Sequence, residues 1–163
     1  MTEDRIELEN DSDNPCFGCG PNNPAGLQLK FHRDRGDIKA EKVFDERYSA
    51  WPGQLHGGVA FAALECACQW TFFTLKGHSG PTARFSIDFP SRVLLHEPVA
   101  IVGRVVREQA DDVVGVRAEM IQSGVVRAWM EQDITVVHSA EEFMRLRPAV
   151  KMDEVMKRNL KAF

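Results

Sequence analysis

The chain has 163 residues, 44% of them hydrophobic and 27% charged, with a formal net charge of −4. That length suffices for one domain with a core that stands without disulfide or metal support. The acidic balance argues against a nucleic-acid partner, and Glu65 and Gln69 interrupt the most apolar run, so no membrane span is expected.

Residues 1–15 read as a flexible polar tail, unlike a signal peptide. Four cysteines without secretory context read as reduced thiols, and a cytoplasmic location is expected. Cys16 to Gly26, CFGCGPNNPAG, is rich in turn formers and reads as a loop. Leu27, Leu29 and Phe31 alternate with polar residues, which is strand periodicity. After the turn Asp34-Arg35-Gly36-Asp37, a second strand runs from Ile38 to Phe44. A loop over 45–55, holding Tyr48, Trp51 and Pro52, leads to His56-Gly57-Gly58.

From Val59 to Leu75 apolar residues fall nearly all round a helical wheel, which predicts a buried helix. Gly77 and Gly80-Pro81 end it. Phe85, Ile87 and Phe89 then alternate with polar residues, and Val99 to Val106 and Val113 to Ile121 are β-branched runs separated by a turn near Ala110-Asp111-Asp112. Ser123-Gly124 marks a tight hairpin into Val125 to Val137. Two strands, one long helix and a run of hairpins predict an α+β domain over 16–138, a curved antiparallel sheet wrapped around the helix. Ser139 and Glu142 have capping-box spacing, and Met152, Val155, Met156 and Leu160 predict an amphipathic helical extension over 139–163.

The glycine pair and Glu65 carry the chemistry. Glycines opening a helix leave backbone N–H groups uncovered at the positive end of its dipole, a cradle for a developing oxyanion. A carboxylate inside an apolar helix is costly to bury and asks for a reason. Together they predict a carbonyl-polarising site with Glu65 as nucleophile or general base. His56 braces the loop or contacts substrate, Gln54 or Gln69 orients a water, and Trp51, Phe61 and Trp70 are pocket candidates. Cys16 and Cys19 form a CxxC without a second pair, and Cys66 and Cys68 point to different helix faces. The thiols are therefore expected to pack the loop, with no metal and no other cofactor. His32, His78, His96 and His138 read as surface or edge residues.

Three motifs together resemble the hotdog-fold acyl-CoA thioesterases, especially the group similar to the phenylacetate-pathway (PaaI-like) enzyme. They are Cys16-Phe17-Gly18-Cys19-Gly20 with Asn23-Pro24-Ala25-Gly26-Leu27, His56-Gly57-Gly58 with an acid nine positions after the histidine, and Arg84-Phe85-Ser86-Ile87-Asp88-Phe89. The resemblance implies a hotdog fold and acyl-CoA hydrolysis, with the Gly57 N–H, helped by Gly58, polarising the thioester and Glu65 as the acid. It also implies a homodimer or homotetramer built as a dimer of dimers. One turn after the acid, where the family often carries Ser or Thr, this chain has Gln69.

His56 and Glu65 are nine residues apart, so on one helix they lie ~13.5 Å apart, whereas reacting groups must come within about 3 Å. If both serve one substrate, the glycine end and Glu65 come from different subunits. Arg84, Arg92, Arg104 and Arg107 are candidates for the phosphates of coenzyme A. Two rival readings share the fold: a dimer that binds acyl-CoA or a partner without catalysis, and a hydratase acting on enoyl-CoA. The second expects an Asp and a His about five apart before the helix, whereas Asp45 stands eleven residues before His56.

Overall fold

The longest apolar segment of the sequence forms the helix on which the other elements are arranged. A computed structural model of the chain describes residues 5–108, 112–139 and 142. Helix α1 spans Gly57–Lys76. His56 caps its N-terminus, and Gly77, in the left-handed region at φ 63°, caps its C-terminus by donating its N–H to Phe73 O. Only glycine enters that region without strain, so the stop signal in the sequence acts as expected. By length and composition α1 is apolar enough to cross a membrane. Here its apolar face, including Ala63, Leu64, Ala67, Cys68 and Phe72, is buried within the domain.

Among the described residues the sheet has seven strands, all paired antiparallel, in the order β1 (Arg5–Glu7), β2 (His32–Asp34), β3 (Asp37–Val43), β6 (Pro98–Glu108), β7 (Val113–Gln122), β8 (Val125–Thr135) and β5 (Thr82–Asp88). A short pair, β4 (His78–Ser79) with β9 (His138–Ser139), closes the C-terminal end of the helix. The turns Arg35-Gly36 and Ser123-Gly124 have positive φ at both central residues, the hairpin geometry that follows strand twist. Gly103 on β6 lets helix and sheet approach: a Cβ there would stand 2.1 Å from Thr71 Oγ1. One long helix on a large antiparallel sheet is the hotdog architecture.

Three expectations are corrected. The expected meander holds for β6, β7 and β8, but β5 joins the far edge beside β8. Its side chains decide this, since Phe85 packs edge-on against Phe61 of α1 with ring centroids 5.0 Å apart. The segment 27–31 is extended yet forms no ladder, because Leu27 and Leu29 donate their N–H groups to Phe17 O and Gly18 O at 2.7 and 3.0 Å. The alternation there records burial of Leu27, Leu29 and Phe31 rather than strand pairing.

The flexible tail expected over 1–15 is also corrected for its described residues. Arg5–Glu7 adds a strand to β2, Leu8 donates to Phe31 O, and Asn10 Nδ2 donates to Cys19 O at 2.7 Å. Leu8 and Asp11 are buried, so an apolar side chain and an open sheet edge outweigh the polar composition. At the other end the capping box forms: Ser139 Oγ accepts the Glu142 N–H, and Glu142 Oε2 accepts the Ser139 N–H. The rest of the helical extension over 143–163, with residues 109–111 of the expected turn, lies outside the described residues.

Candidate active site

The mouth of α1 is held by hydrogen bonds that run from the sheet. Gln122 of β7 is buried and clamps Leu94, accepting its N–H and donating to its carbonyl, both at 2.9 Å. Leu94 bridges to Gln54, Leu55 donates to Val93 O, and His56 donates its N–H to Tyr48 O. The loop that carries His56 is thus fixed from both sides before the helix begins.

At the mouth the four orphan N–H groups of a helix start are divided unequally. His56 Nδ1 accepts the Gly58 N–H at 2.9 Å, and His56 O accepts from Val59 and Ala60. The expectation that Gly58 helps to bind the carbonyl is corrected, because its N–H is already taken and its missing side chain makes room for the folded-back ring. A Cβ there would stand 3.1 Å from His56 Nδ1. Among the described residues no acceptor meets the Gly57 N–H, which is exposed beside Phe89. Because Nδ1 is an acceptor, the neutral ring carries its proton on Nε2.

Glu65 lies two and a half turns further along, where two clefts meet. One, of about 630 Å³, is lined by Cys16, Cys19, Cys66, Gln69, Trp70 and Phe73 among others; the second, of about 560 Å³, by Phe61, Thr82, Arg84, Phe85 and Gln132. Glu65 borders both. Among the described residues no cation pairs with it. Burial pushes its carboxyl above the ordinary glutamate value, the negative charge of Cys16 adds to this, and a hydrogen bond from Gln69 opposes it.

Gln69 also donates to Thr82 Oγ1 at 3.1 Å, and Thr82 donates to Oε1 of the fully buried Gln132 at 3.3 Å. The carboxylate therefore stands at the end of a polar chain that crosses from α1 through β5 to β8. Strand β5 carries a register shift between Thr82 and Arg84, and a bulge of this kind re-aims the side chains that border the cleft.

Of the residues expected from sequence, Glu65, Gln69, Phe61, Trp70 and Arg84 meet around these clefts, and His56, Gly57 and Gly58 form the helix mouth. Arg84 is exposed on the rim, 3.9 Å from Asp133. Two expected residues lie outside these clefts of the single chain. Trp51 is 72% exposed and lines neither cleft, and Gln54 lines neither cleft and serves the loop through its backbone. Thr82, Phe85, Phe89 and Gln132 were not expected, since only strand register brings them to α1. Cys66, set aside as a helix cysteine, meets the CxxC loop: the sulfurs of Cys16, Cys19 and Cys66 lie within 4.8 Å of one another.

Residues 52–122, which hold the helix mouth and Glu65, match the Thioesterase superfamily. No curated protein matches the sequence. Among solved structures, a thioesterase superfamily protein superposes with TM-score 0.69 at 20% identity over 76% of this chain and 60% of its own length. The PaaI protein of the E. coli phenylacetic acid degradation operon gives TM-score 0.61 at 15% identity, covering 69% of this chain and 82% of that one. A thioesterase-type protein from Streptococcus pneumoniae, solved with coenzyme A, gives 0.59 at 17% identity, covering 64% and 83%. The first of these matches thus spans less than two thirds of the relative's length. The chain is a hotdog-fold protein similar to PaaI, and its central segment carries the Thioesterase superfamily pattern.

Proposed function

We propose that the protein hydrolyses acyl-CoA thioesters as a homodimer or a dimer of dimers, in a reducing, cytoplasmic setting that suits its free thiols. The observation that carries this is a half-buried carboxylate that has no cationic partner among the described residues, bordering open clefts on the same helix whose first N–H meets no acceptor among those residues. The Streptococcus pneumoniae relative with coenzyme A supports the ligand class.

Gly57 and Glu65 are eight residues apart on α1, ~12 Å at 1.5 Å per residue, so one chain does not bring both to one carbonyl. Among the described residues strand β5 is a sheet edge, with Phe85 on it and Phe89 just after it about half exposed, at 49% and 50%. An uncovered edge bearing two large aromatics is a surface for pairing with a second copy. A two-fold arrangement along β5 sets α1 antiparallel to its mate and turns Glu65 of each chain toward the mouth of the other helix.

In that arrangement the Gly57 N–H donates to the thioester oxygen, and the helix dipole favours the charge that develops there. Glu65 of the partner subunit either attacks the carbonyl carbon, giving an anhydride that water then opens, or removes a proton from the water that attacks. In the first route the C–S bond breaks as the anhydride forms, in the second as the tetrahedral adduct of water collapses; in both the electron pair leaves on sulfur as coenzyme A. Gln69 and Thr82 hold the carboxylate, Phe61 and Phe85 offer apolar surface to the acyl chain, and Arg84 on the rim meets a phosphate.

Thiol release from an acyl-CoA panel of increasing chain length tests this, with Glu65→Ala as control. Turnover that disappears in Glu65→Ala supports the reading. Equal, slow thiol release by both proteins overturns it and leaves a dimer that binds acyl-CoA without cleaving it.

A further inference from the structure

The loop over 16–20 is shaped around sulfur. Gly20 donates its N–H to Cys16 O at 2.9 Å, and this turn aims the N–H groups of Gly18 and Cys19 at the Cys16 sulfur. Two of its glycines are there for space. A Cβ on Gly18 would stand 2.7 Å from Cys66 Sγ, and one on Gly20 would stand 2.5 Å from the Cys16 backbone nitrogen. The loop therefore presses against α1 at Cys66, and the three sulfurs converge.

The group has the character of a ligand set rather than of core packing. Cys16 is only partly buried, and its sulfur lies within 4.8 Å of those of Cys19 and Cys66, close enough for one cation to reach all three. Cys68 differs: it is buried away from the cluster, with its sulfur directed to Val116 O. All three clustered cysteines border the first cleft, and His78 Nδ1 and Ser79 Oγ in that cleft are buried without a hydrogen-bond partner among the described residues.

We propose that Cys16, Cys19 and Cys66 form a three-thiolate site for a soft divalent cation, zinc foremost, whose fourth position opens into the cleft beside Glu65. Three sulfurs each about 2.3 Å from a tetrahedral zinc lie roughly 3.8 Å apart, so the observed cluster needs to contract only slightly. Thiolate donors select zinc and its softer neighbours over magnesium or calcium. Each S–H that becomes a metal-bound thiolate gives its proton to solvent. Asn14 Nδ2 donates to Cys19 Sγ at 3.8 Å from outside the cluster and so orients that sulfur. The cation staples the loop to the helical turn that carries Glu65. This proposal does not depend on the thioesterase reading.

Cobalt(II) is the probe. The full-length, reduced protein is stripped with chelator and titrated with Co²⁺, following the sulfur-to-metal charge-transfer band and the visible bands that mark tetrahedral coordination. One equivalent per chain is expected, displaced by Zn²⁺, with the melting temperature rising on loading. Cys16→Ser, Cys19→Ser and Cys66→Ser each weaken binding at least tenfold, whereas Cys68→Ser stays within twofold. Loss of binding in all four variants marks misfolding rather than ligation and leaves the wild-type stoichiometry and band to decide. Absence of a charge-transfer band in folded wild type overturns the proposal. So does a band that survives Cys66→Ser, or formation of a Cys16–Cys19 disulfide in place of metal uptake on purification in air.

Discussion

The imidazole of His56 folds over the first turn of α1 and takes the Gly58 N–H at 2.9 Å, which leaves Gly57 as the donor of that turn that meets no acceptor among the described residues. The residue that stands at the functional mouth is therefore first a helix cap. His56→Ala is expected to cost about 1 kcal/mol of stability through loss of the cap, with His56→Asn recovering most of it. Urea unfolding of the three proteins measures this. Equal stability of His56→Ala and wild type would remove the capping role.

Gly57 occupies the first helical position, where proline is well tolerated because its missing N–H has no intrahelical partner. His56 before it is extended, at φ −67° and ψ 133°, the conformation a following proline requires. Gly57→Pro should therefore fold as wild type does, yet lower kcat by ~10²–10³, the effect of deleting one oxyanion donor. Gly57→Ala, which keeps the N–H and sets its Cβ 3.6 Å from the Phe89 ring, should lose far less. Equal activity in the two variants would remove the amide from the chemistry.

The raised carboxyl of Glu65 has consequences for both rate and stability. As base or nucleophile it must be ionised, so kcat/KM should rise with pH along a limb set above the ordinary glutamate value of 4.5. For stability the sign runs the same way. A carboxyl raised in the folded state stabilises the fold fully below its unfolded value, and that contribution is lost as pH rises through the folded value. Wild type should thus lose stability relative to Glu65→Gln as pH rises from below 4.5 toward neutrality. A difference that stays flat across that window would mean that burial does not perturb the group.

The proposed division of the site between two chains has a direct test. A mixture of Glu65→Gln and Gly57→Pro, each inactive alone, re-pairs into dimers of which half are mixed. Each mixed dimer has one intact site, so about one quarter of the wild-type rate should return. No recovery in a mixture that demonstrably exchanges subunits would overturn the shared site.

Thr82 lies between Gln69 and Gln132 in the polar chain behind the carboxylate. Thr82→Val keeps the shape and removes the hydroxyl, at a cost of about 1 kcal/mol in stability. If the chain positions Glu65, kcat should fall about tenfold with KM nearly unchanged, and Thr82→Ser should restore it. A change in KM alone would make Thr82 a binding residue.

Much of this arrangement is legible in residue order. The helix from Gly57 to Lys76 follows from a long, mostly apolar segment opened by a glycine pair and closed by Gly77. The strands β6, β7 and β8 follow from β-branched runs with a Ser123-Gly124 turn between the last two. Those signals are local, because dihedral preference, periodicity and capping act within a few residues. For the same reason Gly57 and Glu65 stood out, one as a free helix end and the other as a charge in an apolar stretch.

The tertiary structure decided what depends on residues far apart in the chain. It sent β5 to the far edge, where Phe85 meets Phe61 and Thr82 meets Gln69, and it anchored residues 5–14 that their composition left loose. It gave the Gly58 N–H to His56 and turned Trp51 out to solvent. It brought Cys66 to a CxxC nearly fifty residues earlier. Hydrogen bonds and sulfur contacts of this kind form only when packing closes long loops, and the order of residues alone carries no record of which loop will close on which face.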